Sequence, residues 1–176
     1  VAPAPTPTPT PTPVKAPGAV TTVFLGDLSG PYAASTRGFR PGFLDATEYI
    51  NTKLGGVKGV PMKIIIKDTG GKAAMCVSHY EDVRVMKPRP YVAFMCVTGE
   101  AEILHDRYAE DKLPAFVSGG GKALYPPAYS FSWAPLYTDT FGAFMDWLKE
   151  TWKEERAPRI AILTCDIAYG RAIISD

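Results

Sequence analysis

The chain has 176 residues, with 19 Lys and Arg against 18 Asp and Glu and a formal net charge of +1. This length allows one substantial domain, or a domain with a tail, and the 46% apolar content is enough to fill its core. The balanced charge excludes nucleic-acid binding as the first expectation, because such proteins are usually basic. No apolar run approaches the roughly 18 residues of a membrane-spanning helix.

Residues 1–18 differ in composition from the rest of the chain. Seven prolines alternate mostly with Thr and Ala between Pro3 and Pro17. Proline removes an amide donor and holds φ near about −65°, so this segment predicts an extended, disordered spacer of polyproline type. Its length would reach roughly 55 Å, and its threonines are candidate O-glycosylation sites. A tether to a surface and a disordered terminus without a specific role are both compatible with this composition.

From Val20 onward, short apolar runs alternate with apolar residues at helical spacing. In chain order the pattern predicts strand 20–25, helix 39–50, strand 62–66, helix 73–87, strand 91–95, helix 101–108, strand 115–117, helix 141–152 and strand 160–163. Strands joined by helices of this length form right-handed crossovers. The predicted fold class is therefore α/β, a doubly wound and mainly parallel sheet with helices on both faces.

Ligands of such sheets bind beyond the carboxyl ends of the strands. The loops expected there are 27–35, 68–72, 96–100, 118–122 and 164–171. Any functional site is therefore expected among these five loops.

Three short motifs resemble enzyme signatures but lack a necessary residue. Gly119-Gly120-Gly121-Lys122 is followed by Ala123, where a phosphate loop needs Ser or Thr. No G-x-G-x-x-G follows the first strand, and Leu28 stands at the centre of Gly26-Asp27-Leu28-Ser29-Gly30, where a serine hydrolase has its nucleophile. We therefore predict a protein that is not an enzyme and uses no cofactor.

A metal site is not predicted either. His79 and His105 lie in predicted helices without H-E-x-x-H spacing, and we interpret them as surface or half-buried side chains. The three cysteines lack the paired spacing of a structural zinc site. Carboxylates near the strand ends, Asp27, Asp68 and Asp166, are more typical of helix caps and turns than of a catalytic set.

Neutral hydrogen-bonding groups occupy two of the loops. Thr98-Gly99 precedes a predicted helix, so its hydroxyl and the first-turn amides suit a carboxylate, although Thr98 as an N-cap explains the same pattern. Ser118-Gly119-Gly120 exposes backbone to a ligand, or forms a flexible loop. The residues alone leave both pairs of alternatives open.

Several motifs, in this order and spacing, resemble the first lobe of a type I periplasmic binding protein of the branched-chain amino-acid-binding group. They are Leu28 to Ala33, Ala46 to Asn51 before Gly55 to Gly59, Lys67 to Gly71, Leu113-Pro114 and Asp166 to Arg171. The resemblance implies that residues 19–176 form the N-terminal lobe of a two-lobed receptor whose second lobe is absent from this chain. Such a receptor closes over a small ligand and delivers it to a membrane permease of an ABC transporter.

The resemblance also implies a set of ligand-binding residues. Thr98, with Gly99, matches the family's Ser or Thr that holds a ligand carboxylate, and Tyr169 matches its aromatic residue before Gly. Ser118, Gly119, Gly120 and Lys122 fall on its second ligand loop. Lys122 replaces the usual Thr, and Tyr137 falls near an acidic position that serves a ligand ammonium. We therefore predict a small anionic or carboxylate ligand, with or without an aromatic group, rather than a zwitterionic aliphatic amino acid.

The receptor resemblance and the proline-rich segment together predict a periplasmic or extracellular protein tethered to the membrane surface. The anchor would be an acylated cysteine upstream of Val1, as in a lipoprotein made with a signal peptide. The alternative is a structural or accessory subunit that uses the lobe as a protein-interaction module. Cys76 is expected in the helix that leaves the second strand, and Cys96 at the end of the third strand, which should be the neighbour of the second. The two cysteines form either a disulfide, which would leave Cys165 unpaired, or two buried thiols.

Overall fold

A computed structural model describes residues 18–175 of the chain. Five parallel strands form one sheet in the order β2-β1-β3-β4-β5. The strands are β1 (Val20–Gly26), β2 (Met62–Asp68), β3 (Val92–Met95), β4 (Ala115–Val117) and β5 (Ser130–Ser132). The predicted α/β class with a parallel, doubly wound sheet is confirmed. The predicted tether lies at 1–18, and residues 1–17 of it fall outside the described residues.

Within residues 18–175, six helices connect or follow these strands. They are α1 (Ala33–Thr36), α2 (Phe39–Lys53), α3 (Ala73–Arg84), α4 (Thr98–Asp111), α5 (Tyr137–Thr151) and α6 (Ala168–Ser175), with one 3-10 turn at Gly121–Ala123. α4 ends where Lys112 takes a left-handed conformation, with φ of 52°, and returns the chain toward β4. No helix within residues 18–175 is both long enough and apolar enough to cross a bilayer.

The main core lies between the sheet and the pair α3 and α4. Alternate side chains of the central strands point to this side, because successive residues of a strand face opposite ways. Val23, Leu25 and Met95 from the sheet are buried together with Tyr80, Leu104 and Tyr108 from the helices. The rings of Tyr80 and Tyr108 meet edge to face at 5.2 Å between centroids. This packing fixes the first turn of α4 at the carboxyl edge of β3.

The opposite face of the sheet carries a row of phenylalanines. Phe24, Phe94, Phe116 and Phe131 stand on four adjacent strands, and Phe43 of α2 packs against the first two at 5.0 and 4.9 Å between ring centroids. Beyond Phe94 this face is only partly covered by the described part of the chain. Phe116 is 37% exposed and Phe131 49% exposed.

The predicted strand at 160–163 is wrong. These residues form no strand, and Leu163 is fully exposed while Ile160 and Ile162 are about half exposed. An apolar run becomes a strand only when a neighbouring strand accepts its backbone hydrogen bonds. Within residues 18–175 nothing pairs with it, and the nearby helix α5 also leaves Trp147 57% exposed.

The order of the strands corrects a second expectation. β1 pairs with β2 on one side and with β3 on the other, so β2 and β3 are not neighbours. The chain turns one way after β1 and the opposite way after β2, which creates the topological switch point between β1 and β3. The loops after these two strands diverge there and leave a crevice at the carboxyl edge.

Candidate ligand-binding cavity

A cavity of about 650 Å³ lies at this switch point. Its walls come from the loop after β1, the start of α3, the β3–α4 junction, the start of α5 and the segment that leads into α6. The residues that line it are Tyr32, Ser35, Thr36, Gly71, Ala73, Cys96 to Glu100, Ile103, Tyr137, Cys165 and Ile167 to Tyr169. Four of the five loops predicted to hold a site contribute residues.

Asp27 shapes the wall that follows β1. Its carboxylate is fully buried and accepts backbone N–H hydrogen bonds from Ser29 at 3.2 Å and from Tyr32 at 2.7 Å, as well as from Gly30. These bonds turn the chain sharply toward α1 and bring Tyr32 to the cavity. The interpretation of Asp27 as a turn-fixing residue agrees with this geometry.

Asp68 supports the same loop from the end of β2. Its Oδ1 accepts hydrogen bonds from the backbone N–H of Leu28 at 2.8 Å and of Gly70 at 2.9 Å. Burial raises the pKa of Asp68, but the hydrogen bonds from Leu28, Ser29 and Gly70 outweigh it, so the pKa lies below its ordinary value. Asp68 therefore stays ionised near the cavity.

Thr98 is the first residue of α4 and is buried. The N-cap position belongs to Val97, which makes no side-chain cap, and the Thr98 hydroxyl instead lies 3.2 Å from the hydroxyl of Tyr137. The N-cap alternative for Thr98 is therefore wrong. The first backbone N–H groups of an α-helix have no partner within the helix. This end of α4 thus presents a hydroxyl and amide donors to the cavity.

Two tyrosines form the opposite wall. The rings of Tyr137 and Tyr169 meet edge to face, with 4.8 Å between centroids. Trp133 holds the approach to α5 in place, because its indole N–H donates to the carbonyl of Met95 at 3.2 Å. Gly170 allows the tight turn into α6, since a Cβ there would lie 2.1 Å from the carbonyl oxygen of Cys165.

The second predicted ligand loop lies behind Thr98. Ser118 is buried and donates its hydroxyl to the carbonyl of Cys96 at 3.1 Å. Gly119 and Gly120 are buried as well, and a Cβ built on Gly119 would lie 3.3 Å from the Thr98 methyl carbon. The structure therefore brings Thr98, Gly99, Tyr137 and Tyr169 together in the cavity, with Ser118, Gly119 and Gly120 as their support.

Lys122 is exposed on the 3-10 turn and does not line the cavity. This position contradicts the expectation that Lys122 lies on a ligand loop beside the other site residues. The predicted anionic ligand loses the cation on which the prediction depended.

His105 is buried, which corrects its interpretation as a surface or half-buried residue. Its Nδ1 lies 3.2 Å from both the carbonyl of Ala123 and the hydroxyl of Ser130, and its Nε2 lies 3.0 Å from the carbonyl of Pro126. The imidazole thus joins α4 to the 3-10 turn and to β5. No cluster of three metal-binding side chains occurs within residues 18–175.

Glu100 is a lining residue that sequence analysis missed. Glu100 is 3% exposed, and neither carboxyl oxygen accepts a well-formed hydrogen bond from the described residues. Burial, and then the negative charges of Asp27 and Asp68, raise the pKa of Glu100 to about 7, although the side chain of Thr69, a weak hydrogen-bond donor to the carboxylate, lowers it. A Glu three residues after an N-cap usually returns to cap the helix. The sequence therefore suggests a helix-capping role for Glu100 and gives no sign that this residue lines a cavity.

All three cysteines are free thiols, with Cys76 buried, Cys96 half-buried and Cys165 exposed. Burial, and then the charge of Glu100, raise the pKa of Cys96 to about 12, and the same causes raise that of Cys76 further. Of the two alternatives for Cys76 and Cys96, the structure contains free thiols, of which that of Cys76 is buried and that of Cys96 half-buried. The disulfide stays a prediction for chemical mapping.

Residues 20–176 match the model of a family described as "Periplasmic binding protein". Among solved structures, a branched-chain amino-acid ABC transporter protein from Thermus thermophilus with bound valine is 20% identical, with a TM-score of 0.77 over 89% of this chain and 40% of that one. A comparison with curated proteins gives no match.

Two further structures are similar in fold. A possible leucine/isoleucine/valine-binding protein from Rhodopirellula baltica SH 1 is 21% identical, with a TM-score of 0.74 over 90% of this chain and 43% of that one. A fatty acid ABC transporter substrate-binding protein from Thermomonospora curvata is 17% identical, with a TM-score of 0.71 over 91% and 41%. The chain thus spans about two fifths of the length of these solved relatives.

Proposed function

The chain belongs to the periplasmic binding protein family, and we propose that it serves as the ligand-binding lobe of an extracytoplasmic receptor for an ABC transporter. The ligand in this proposal is a small carboxylate or an amino-acid-like molecule, bound in the cavity at the switch point. Membership of a family of binding proteins agrees with the prediction that the chain is not an enzyme.

The position of Thr98 carries this proposal. Its hydroxyl lies at the N-terminus of a 14-residue helix, in the wall of a cavity at the carboxyl edge of the sheet. Unpaired backbone N–H groups and the helix dipole favour an anion at such a position. A ligand carboxylate would accept hydrogen bonds from the Thr98 hydroxyl and from the amides of the first turn.

The ligands named for two of the relatives support a carboxylate as the common chemical group. One contains bound valine and another is described as a fatty acid receptor, and these two ligands share little except a carboxylate. A carboxylate site on the common lobe would serve both. The rest of each ligand would then be selected by other parts of the cavity.

A second lobe completes the site in this proposal, with residues 19–176 as the first lobe. The relatives are more than twice as long as this chain, and α5 and the segment 160–163 present apolar side chains that lack cover within residues 18–175. Closure of two lobes removes a small ligand from water and strengthens its hydrogen bonds.

The cellular setting is part of the proposal. The proline-rich residues 1–18 would act as a spacer between a lipid anchor and the lobe, on the periplasmic or extracellular side of the membrane. The partner is then a membrane permease that receives the ligand. Sequencing of the complete precursor tests the anchor, because a signal peptide and a lipid-modified cysteine must precede Val1.

Calorimetry on the complete gene product, with a panel of small carboxylates and amino acids, tests the function. We expect at least one carboxylate to bind, and Thr98→Val to weaken it by about ten-fold or more, since a hydrogen bond to a charged group is lost. Thr140→Val is the control, because the Thr140 hydroxyl is bonded to its own helix at the carbonyl of Leu136. Absence of binding by every member of the panel would contradict the proposal.

The second candidate function is a protein-interaction module in a structural or accessory subunit. The exposed aromatic residues on one sheet face, Phe116, Phe131 and Trp133, favour it, since exposed apolar patches often mark protein contacts. A gene product that binds no small carboxylate, but loses a protein partner when Phe131 is changed to Ser, would support this function instead.

A further inference from the structure

A second groove lies at the outer edge of the sheet, between α2 and β2. Its volume is about 630 Å³. Aliphatic side chains line it, among them Leu44, Ile64 and Ile66, together with two arginines, Arg37 and Arg40. It shares no lining residue with the cavity at the switch point. This edge groove is therefore a separate surface, which the carboxylate site does not explain.

The two arginines of the edge groove lack a counter-charge. Neither Arg37 nor Arg40 forms an ion pair within residues 18–175, whereas Arg84, on the other side of the sheet, pairs with three carboxylates. The backbone N–H of Arg40 donates to the carbonyl of Arg37 at 3.3 Å, so the two residues lie one helical turn apart. Side chains at this spacing are neighbours and can act on one anionic partner.

One carboxylate, that of Asp68, also lines the edge groove. Its Oδ1 already accepts the backbone N–H groups of Leu28 and Gly70. The lining thus contains two guanidinium groups and one carboxylate that is engaged with the backbone. The groove has a net positive charge and attracts an anion.

β2 has no partner strand along its outer edge. It is the outermost strand of the sheet within residues 18–175 and pairs with β1 alone. At its two ends the carbonyl of Pro61 accepts from Val20, and the N–H of Thr69 donates to Gly26. The backbone groups of successive residues in a strand point to opposite sides, so the even-numbered residues of 62–68 direct theirs away from β1.

Both ends of this outer edge are occupied by side chains. The side-chain amide of Asn51 donates to the carbonyl of Met62 at 2.8 Å, and its oxygen accepts the N–H of Met62 at 2.7 Å. The Nε2 of His79 lies 3.0 Å from the carbonyl of Asp68. Within the described part of the chain, the open stretch of the edge is therefore the middle, residues 64–66.

The open backbone groups and the arginines belong to the same groove. The residues with outward N–H and C=O groups, Ile64 and Ile66, also line the groove with Arg37 and Arg40. An extended peptide can add to a free sheet edge through main-chain hydrogen bonds, while its alternate side chains enter a neighbouring pocket. A peptide beside β2 would direct alternate side chains to the two guanidinium groups.

The lysines of β2 favour an acidic peptide over others. Lys63 is exposed and has no ion pair within residues 18–175, and Lys67 is paired with Asp82 at 3.0 Å. Lysines on an edge strand are typical of protection against unwanted pairing. Such protection does not explain Arg37 and Arg40, which come from the α1–α2 region, and it does not repel an acidic strand.

We propose that the edge groove docks an extended acidic segment of a partner protein, which adds as a strand to the open edge of β2 and places a carboxylate against Arg37 and Arg40. The site goes beyond the proposed function, because its residues are distinct from those of the ligand cavity. Main-chain hydrogen bonds to Ile64 and Ile66 supply the register, and the guanidinium groups select the charge.

Three synthetic peptides test this on the complete gene product, titrated to millimolar concentration. The first is acetylated and amidated Ser-Val-Glu-Val-Glu-Val-Ser, which places both carboxylates on one face of a strand. In the second, Gln replaces both Glu. In the third, Pro replaces the central Val, which keeps the charge but opposes strand pairing. We expect the first peptide to bind, and the other two to bind at least about five-fold more weakly.

Amide hydrogen exchange locates the bound peptide. In the free protein the amides of Ile64 and Ile66 are expected to exchange faster than those of Ile65 and Lys67, whose N–H groups face β1. The first peptide should slow exchange at Ile64 and Ile66 and leave Ile65 unchanged. Slowed exchange elsewhere, with none at these two amides, contradicts the proposed site.

The double variant Arg37→Gln with Arg40→Gln tests the guanidinium groups. We expect it to lower the affinity for the first peptide about five-fold or more and to leave that for the Gln peptide unchanged. The matched control is Lys53→Gln with Lys149→Gln, which removes the same charge at exposed positions outside the groove. Circular dichroism verifies that both variants fold, and the comparison among peptides on the unchanged protein does not depend on them.

Each remaining outcome overturns the proposal. Equal binding of the Glu and Pro peptides indicates attraction by charge without strand addition. Equal binding of the Glu and Gln peptides, or an arginine variant that keeps the preference, removes the role of Arg37 and Arg40. Binding to phosphatidylglycerol vesicles but not phosphatidylcholine vesicles, without a peptide preference, assigns the basic edge to a membrane instead. Absence of binding by all three peptides also overturns it, and none of these results bears on the carboxylate site at Thr98.

Discussion

The hydroxyl oxygens of Thr98 and Tyr137 lie 3.2 Å apart, and this contact joins the first residue of α4 to the first residue of α5. Both residues line the cavity. The hydrogen bond therefore fixes the distance between the first turns of α4 and α5, which both lie in the cavity wall. It also leaves the remaining capacity of the Thr98 hydroxyl for a ligand.

A double-mutant cycle measures this contact. Thr98→Val and Tyr137→Phe each remove one hydroxyl, and we expect a coupling of about 1 kcal/mol in the free energy of unfolding by chemical denaturation. The pair Thr140→Val and Tyr137→Phe is the control, because the Thr140 hydroxyl is bonded to the carbonyl of Leu136. Strict additivity of the Thr98 and Tyr137 effects would contradict the hydrogen bond.

Gly119 limits the position of Thr98 from behind. In Gly119→Ala the added methyl group would lie 3.1 Å from the Cβ of Ala123 and 3.3 Å from the methyl carbon of Thr98. One of these neighbours must shift, so we expect a loss of about 1 kcal/mol in stability and a weaker ligand affinity.

Gly142→Ala is the matched control for that substitution. Gly142 is exposed in the interior of α5, and a Cβ there meets no atom within 4 Å. Alanine is expected to stabilise this helix by about 0.5–1 kcal/mol without an effect on binding. Thermal unfolding and calorimetry of both variants check the contrast, and equal effects of the two would argue against close packing at Gly119.

Glu100 makes the stability of the protein depend on pH. Its pKa is raised from the ordinary 4.5 to about 7 in the folded protein, so the folded state binds the proton more tightly than the unfolded state. The stabilisation is complete below about pH 4.5 and is lost as the pH rises through about 7. The groups coupled to this carboxyl are Asp27, Asp68, Thr69, Cys76, Cys96 and Tyr108.

Glu100→Gln removes this dependence. The variant is expected to be more stable than the parent by up to about 3 kcal/mol at pH 8, and the difference should disappear near pH 4. Denaturant unfolding at several pH values measures it, and Glu102→Gln, on the same helix, provides the comparison. An unchanged difference between pH 4 and pH 8 would show that Glu100 does not titrate in this range.

The three thiols are expected to react at very different rates. Cys165 is exposed, whereas Cys76 is buried and the half-buried Cys96 has its pKa raised to about 12. Alkylation requires the thiolate, so Cys165 should be modified first in the native protein and the other two only after unfolding. Peptide mapping without reductant identifies the alternative outcome, a linked pair of Cys76 and Cys96 peptides.

Strands β1 and β2 were predictable because their own residues determine them. Val20 to Leu25 and Met62 to Ile66 are apolar or β-branched runs of the kind that a sheet covered on both faces requires. β5 was not predicted, since Ser130-Phe131-Ser132 contains one apolar residue and depends on β4 for its pairing. The run 160–163 has the opposite problem, because it is apolar but has no neighbouring strand within residues 18–175.

The residues of the candidate site also differ in whether the local sequence is enough to predict them. Thr98 was predicted from its position between a strand and a helix, which is local information. The Glu100 carboxyl interacts with Asp27, Thr69 and Cys76, which precede it by tens of residues, so no local pattern in the sequence indicates its environment. Lys122 was placed on a ligand loop by position along the chain, whereas the 3-10 turn directs it outward.

His105 is a buried residue that joins α4 to the 3-10 turn and to β5. Its ring bonds to Ala123, Pro126 and Ser130, and Ala123 in turn contacts the position of Gly119 behind Thr98. His105→Ala leaves a cavity and several unpaired buried oxygens, so we expect a loss of about 2–4 kcal/mol in the free energy of unfolding. His79→Ala removes a ring that contacts the carbonyl of Asp68 at 3.0 Å and the exposed carboxylate of Asp82 at 3.9 Å, and should cost about 1 kcal/mol or less. Denaturant unfolding of both variants, with ligand calorimetry on the complete gene product, checks this: we expect His105→Ala to weaken binding through Thr98 and His79→Ala to leave it unchanged. Equal stability losses in the two variants would contradict a supporting role for His105.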